Sequence, residues 1–123
     1  MAKNDRSSVQ WLPLPEAHDY AAAASYLRLH FPPEDADNIV KGMQSAVIIG
    51  FKAKDLFRAS KLSLLGVSNS HVLKDVEKIK AGVPLSPLLV LRRPEGPIIA
   101  DGYHRLCAVY QYDEDAVVPC RIV

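Results

Sequence analysis

The sequence lacks the features of a membrane protein, a disulfide scaffold or a secreted chain. Its only cysteines, Cys107 and Cys120, have neither metal-ligand spacing nor disulfide-framework density, so we expect two buried thiols. Apolar runs such as Ala46 to Ile49 reach four or five residues, against the ~20 that cross a bilayer. Polar residues and prolines, not an apolar segment, follow Lys3 and Arg6. We therefore expect no secretory signal and a cytoplasmic location.

The sequence also lacks an excess of charge of one sign, because 15 basic and 14 acidic residues give a formal net charge of +1. This balance excludes a general polyanion binder but hides an uneven distribution. Residues 1–51 carry a net charge of −2, residues 52–93 carry +6, and residues 94–123 carry −3. The middle segment therefore holds the basic residues that a localised anion site would use.

The basic residues of the middle segment form two one-sided stripes at helical spacing. They are Lys54, Arg58 and Lys61 in one predicted helix, and His71, Lys74 and Lys78 in the next. Each stripe is either a solvated helix face or a surface that attracts a polyanion or phosphate. For the first stripe we favour the solvated face.

A chain of 123 residues with 49% apolar composition fits a single domain with one core. Periodicity, prolines and glycines predict the order ααβααββαβ, an α+β domain with a small mixed sheet and flanking helices. Residues 1–10 are predicted to be a frayed tail. The predicted helices cover about 16–30, 33–45, 52–62, 70–80 and 104–112, and the predicted strands cover 46–49 (buried), 87–91, 97–100 and 117–123.

One segment, residues 98–108, carries most of the chemistry. There Asp101-Gly102 ends a strand, and His104 and Arg105 begin a helix. The glycine permits a tight turn and close ligand approach, while the first amides of the helix can bind an anion. Asp101 is a candidate to orient His104, accept a proton or hold Mg²⁺. The alternative is an Asp-Gly turn with a surface arginine and a packed histidine.

Three motifs in order along the chain resemble the core of the ParB/sulfiredoxin superfamily. They are Pro-x-x-Val at 87–90, Ile-Ile-x-Asp-Gly-x-His-Arg-x-x-Ala at 98–108, and Val-Pro-x-x-Ile-Val at 118–123. The central motif is also similar to the Asp-Gly-His-His-Arg stretch of free-serine kinases in that superfamily. The resemblance implies a ParB/sulfiredoxin-like core over 46–123, with 11–45 as an N-terminal helical extension.

The resemblance also implies a nucleotide site. Its cofactors would be ATP or CTP with Mg²⁺, and Asp101 is the candidate metal ligand. Asp101 and His104 are the candidate catalytic residues. The residues implied to hold the phosphates are Gly102, Tyr103, His104 and Arg105 in the turn, with Lys74 and His71 from the preceding helix.

Two departures from the superfamily limit what the resemblance implies. Sulfiredoxins have their reactive cysteine where this chain has Tyr103, so sulfinic acid reduction is not expected. ParB proteins continue into a helix-turn-helix domain, whereas this sequence ends in its last predicted strand at Val123, so sequence-specific DNA binding is not expected. The remaining hypotheses are a nucleotide-dependent phosphotransferase or NTPase, a non-catalytic module that senses a nucleotide or another anion or binds a protein, and a DNA-associated remnant. Expected partners are a nucleotide or small anion and, as a candidate, a second copy of the chain, but no membrane.

The two N-terminal helices lie outside the recognisable core. They are predicted either to cover the core or to act as a lid or partner surface, and we favour core cover. His18 and Asp19 are sequence neighbours, so they are expected on different faces of the first helix rather than as an interacting pair.

Overall fold

The computed structural model of the protein describes residues 9–123, so the first eight residues of the predicted tail lie outside the described residues. In this range the predicted order of five helices and four strands is confirmed. None of these helices is both long enough and apolar enough to span a membrane. The elements are α1 (Ala17–Leu27), α2 (Pro33–Ser45), β1 (Ile48–Lys52), α3 (Ala53–Ser60), α4 (Ser70–Lys80), β2 (Leu88–Leu91), β3 (Ile98–Asp101), α5 (Tyr103–Tyr112) and β4 (Val117–Ile122).

The four strands form one mixed sheet in the order β1-β4-β2-β3. Strand β4 runs parallel to β2 and antiparallel to β1, and β2 pairs antiparallel with β3. The chain is therefore an α+β protein with a small mixed sheet, as predicted. Because β3 is an edge strand that leads directly into α5, the turn between them lies at the end of the sheet and is open to a ligand.

One face of the sheet is covered by α3, α4 and α5. Leu88 and Val90 of β2 meet Val72 of α4 and Leu106 of α5 in a continuous buried cluster. The two cysteines lie in this cluster as free, buried thiols, as predicted. Burial raises the pKa of the Cys120 thiol to about 12, which keeps it protonated and unreactive.

The opposite face is covered by α1 and α2. Leu27 and Met43 are completely buried there against Leu89 of β2 and Ile98 of β3. Burying each such side chain stabilises the fold by roughly 1.5–3 kcal/mol. The N-terminal helices therefore cover the core, as the sequence favours, and their packing fixes the position of the first turn of α1.

The predicted buried strand at 46–49 is wrong in both position and burial. The strand spans Ile48–Lys52, and Val47, which precedes it, is 73% exposed. Strand β1 is exposed because it lies at the edge of the sheet, where β4 is its single partner strand in the described residues. Gly50 lies close to the neighbouring strand, since a Cβ there would lie 2.5 Å from Cγ1 of the exposed Val117, whose side chain would have to shift.

Candidate functional site

Helix α4 is oriented by its ends and by its apolar side. Asn69 caps the N-terminus, because its Oδ1 accepts hydrogen bonds from the amides of His71 (2.9 Å) and Val72 (3.2 Å). Gly82 follows the C-terminus with a φ of +74°, as the predicted stop requires. With Val72 buried in the core, the outward side of the helix lines a cleft with His71, Lys74, Asp75 and Lys78.

Gly102 shapes the opposite side of the cleft. It has a φ of +107° and is the N-cap of α5. A Cβ at this position would lie 2.7 Å from Cγ of Leu88 and 2.9 Å from Nη2 of Arg105. The glycine therefore allows both the left-handed backbone and the close approach of the arginine side chain, and it exposes the first amides of α5.

We expect Gly102→Ala to destabilise the fold by about 2 kcal/mol, because it adds backbone strain and overpacking against Leu88. The matched control is Gly66→Ala, since a Cβ on Gly66 would meet nothing within 4 Å. Urea unfolding of both variants measures the difference. Equal losses in the two variants would contradict this role of Gly102.

The cleft between α4 and the Gly102 turn has a volume of about 270 Å³. The start of α1 and the segment 84–86 complete its walls. The cleft brings together every residue that the sequence proposes for the site, although these residues come from elements far apart in the chain. Those residues are His71, Lys74, Asp101, Gly102, Tyr103, His104 and Arg105.

Most donors of the Arg105 guanidinium bind the protein itself. Its Nε donates to the carbonyl of Ser86 (2.9 Å), and Nη2 donates to Oδ2 of Asp101 (2.9 Å) and to the carbonyl of Pro87 (3.3 Å). Nη1 lies 3.8 Å from Oδ1 of Asp19, and the side chain is 16% exposed. The guanidinium is therefore engaged by two backbone carbonyl groups and the Asp101 carboxylate, with the Asp19 carboxylate nearby, and Nη1 alone is left for the predicted phosphate contact.

Asp101 carries a largely buried carboxyl group, 15% exposed, whose pKa is raised to about 6. Burial is the largest cause, and it outweighs the charge and hydrogen bond of Arg105, which lower the pKa. Asp19 raises it further, by repulsion and by accepting a hydrogen bond from the protonated form. The contact that Asp101 makes in the structure is with Arg105, and its orienting of His104 stays a prediction.

Asp19 is the site residue that sequence reasoning missed. It is 2% exposed, and its Oδ2 accepts a hydrogen bond from the amide of Glu16 (2.8 Å) at the start of α1. The spacing of Glu16 and Asp19 matches a capping box, which is the sequence signal that turns Asp19 back toward the helix start. His18 is exposed and Asp19 is buried, as different helix faces require, but the expectation that they do not interact is wrong, since Nε2 of His18 lies 3.4 Å from Oδ1 of Asp19.

The predicted Mg²⁺ site at Asp101 does not fit this arrangement. Mg²⁺ prefers oxygen ligands with room for several waters, whereas Asp101 is buried against the Arg105 cation. Within residues 9–123, the ligand atoms grouped closely enough to share a metal belong to Glu16, His18 and Asp19. Two of them are engaged, because Glu16 accepts a hydrogen bond from Ser86 and Asp19 accepts one from Glu16.

Two histidines meet on the cationic side of the cleft. The ring centroids of His71 and His104 are 4.9 Å apart. Burial, together with the His71 charge, lowers the pKa of His104, while Asp75 opposes the shift. Near pH 7 the His104 imidazole is therefore mostly neutral and can donate one hydrogen bond, while the fixed positive charge of this wall comes from Lys74 and Lys78.

A second cavity, of about 330 Å³, adjoins the same turn. Residues 101–104 border both cavities, but the rest of the second lining is mostly apolar. Tyr103 holds one edge in place by donating a hydrogen bond from its hydroxyl to the carbonyl of Ser63. The lining beyond the shared turn consists of Ala22, Tyr26, Leu62, Ile99 and Ala100.

The first basic stripe lies away from this cleft and is largely neutralised. Nζ of Lys54 lies 2.7 Å from Asp115, and Nη2 of Arg58 lies 2.8 Å from Asp55. These exposed ion pairs fit the solvated face that the sequence favours.

Comparisons of the chain with protein-family models, with curated proteins and with solved structures each found no match. The resemblance to the ParB/sulfiredoxin superfamily therefore rests on the sequence motifs of residues 87–123, and the proposals below rest on the geometry of the cleft.

Proposed function

We propose that this chain is a small ParB/sulfiredoxin-like phosphotransferase that binds ATP or CTP in the cleft and transfers a phosphoryl group to a small hydroxyl acceptor. One observation supports this most strongly. Lys74 and Lys78 of α4, with Asp75 beside them, and the N-terminus of α5 line one cleft with the largely buried carboxyl group of Asp101, whose pKa is about 6. Such a pairing is suited to hold phosphates beside a general base.

The phosphates would lie between α4 and the first turn of α5. Lys74 and Lys78 supply positive charge, His71 and His104 supply hydrogen-bond donors, and the α5 amides add the positive end of the helix dipole. These groups need no metal ion to bind a polyphosphate. The proposal therefore includes no step through Mg²⁺.

The transfer step would use Asp101 as the proton acceptor. The acceptor oxygen gives its proton to the Asp101 carboxylate and forms a bond to the terminal phosphorus, while the bond from phosphorus to the nucleoside diphosphate oxygen breaks. The diphosphate leaves with that electron pair. With a pKa of about 6, Asp101 is mostly ionised at pH 7, and the hydrogen bond from Arg105 holds it in place.

Lys74→Ala is expected to weaken ATP binding about tenfold, because a charge-assisted contact with phosphate is lost. The matched control is Lys80→Ala, which removes a lysine from the same helix outside the cleft lining. Calorimetric titration at two salt concentrations should also show a weaker salt dependence for Lys74→Ala alone. Equal affinities of the two variants would contradict binding at this wall.

The same titration separates the catalytic proposal from a module that only senses an anion. Binding of ATP or CTP without phosphorylation of any hydroxyl compound would favour the sensing module. No binding of ATP, CTP or inorganic phosphate would overturn both.

A further inference from the structure

The two cavities meet at the turn where the proposed chemistry would occur. Asp101 and His104 line both of them, together with the residues between. A phosphoryl donor in the polar cleft and a second molecule in the apolar cavity would therefore contact the same four residues from two sides. Direct transfer between two substrates requires such a meeting point.

The second cavity is suited to an apolar group. Beyond the shared turn, Ala22 and Tyr26 of α1, Leu62, and Ile99 and Ala100 of β3 line it, and none of these five side chains is charged. Tyr26 and Leu62 are partly exposed, so a ligand would remove apolar surface from water. An apolar cavity of roughly 150 Å³ can hold benzene. At about 330 Å³, this one has room for a ring with a short tail.

We propose that the apolar cavity binds the acceptor substrate, and that this acceptor is an alcohol carrying an aromatic or aliphatic group, with its hydroxyl directed at the 101–104 turn. The inference rests on the proposed function and specifies its substrate class. A free amino acid such as serine is disfavoured, because its carboxylate would lose water in a cavity whose lining holds no lysine or arginine and whose one carboxyl group, Asp101, would repel it.

The alanines of α1 offer a matched pair of variants. Ala22 lines the cavity, whereas its neighbour Ala21 does not, and both are exposed positions of the same helix. A tryptophan at position 22 would fill the cavity from its rim, while a tryptophan at position 21 changes the same helix by the same amount outside it. Circular dichroism of both variants checks that α1 is retained.

The test uses 2-phenylethanol as the probe in two measurements on the full chain. Ligand-observed NMR should show that Ala22→Trp weakens its binding at least tenfold and that Ala21→Trp leaves it unchanged. With ATP present, phosphorylation should be at least tenfold faster for 2-phenylethanol than for serine or glycerol at equal concentration, and Ala22→Trp should abolish that preference.

The outcomes distinguish this inference from the proposed function. Equal binding of 2-phenylethanol to both variants, or faster phosphorylation of serine or glycerol, would overturn the acceptor class and leave ATP binding and transfer intact. If direct titration shows no ATP binding and no hydroxyl compound is phosphorylated, the proposed function fails and the acceptor role fails with it.

Discussion

Arg105→Ala is expected to lower the free energy of unfolding by about 3–5 kcal/mol, the cost of breaking a buried ion pair from one side. The substitution leaves the Asp101 and Asp19 carboxyl groups facing each other without a cation. It also removes the donors to the carbonyl groups of Ser86 and Pro87. Urea unfolding at pH 7 measures the loss.

The matched control for this prediction is Arg58→Ala. Arg58 forms an ion pair with Asp55 at 2.8 Å, nearly the same separation as the 2.9 Å between Arg105 and Asp101, but its side chain is 81% exposed. Its loss should cost less than about 1 kcal/mol. Similar costs for the two arginines would show that burial of the Arg105 network contributes little. Arg105→Lys should recover only part of the stability, because lysine lacks the guanidinium fork.

Asp101→Asn is expected to lower the rate of phosphoryl transfer by about 10²–10⁴-fold, the usual contribution of a general base. Asparagine keeps the shape of the side chain and can still accept a hydrogen bond from Arg105, but it cannot take the acceptor proton. The affinity for ATP should change little, because Asp101 is not among the groups on α4 and the first turn of α5 that are proposed to bind the phosphates. Steady-state kinetics together with ATP titration separates the two effects.

The pH profile identifies which group acts as the base. In the wild type, the rate should rise with pH through about 6 as Asp101 loses its proton, and then level off. This rising limb should be absent in Asp101→Asn and retained in His104→Gln. If the limb disappears with His104 instead, the base is the histidine.

Local signals in the sequence were sufficient to predict the elements that frame the cleft. Asn69 is a capping residue that acts through its side chain on the adjacent amides, whereas Gly82 as a stop signal and Gly102 as a strand-to-helix turn act through their backbone conformation. The exposure of β1 could not be predicted in this way. The apolar side chains of Val47 to Ile49 would suit a central strand as well as an edge strand. Only the strand order of the folded sheet shows that they lie at an edge.

The partners of the site residues depend on contacts between distant segments. The sequence alone predicts that Arg105 is a phosphate ligand. The folded structure places the carbonyl groups of Ser86 and Pro87 and the carboxylate of Asp19 around its guanidinium group. The superfamily resemblance covers neither Asp19 nor the α1 residues Ala22 and Tyr26. The segment that the motifs do not cover therefore supplies both the second buried carboxyl group and one wall of the apolar cavity.

The strand order β1-β4-β2-β3 also has a consequence for how the chain folds. Among the described strands, β4 is the last to leave the ribosome, yet it is the strand that joins β1 to the β2–β3 hairpin. Until β4 is inserted, β1 has no strand to pair with, and the sheet exists only as a hairpin. Strand pairing between segments far apart in the chain slows folding, and the edges of the strands stay unpaired and exposed until it is complete. We therefore expect nascent chains that have not yet released β4 to be sensitive to proteolysis around β1.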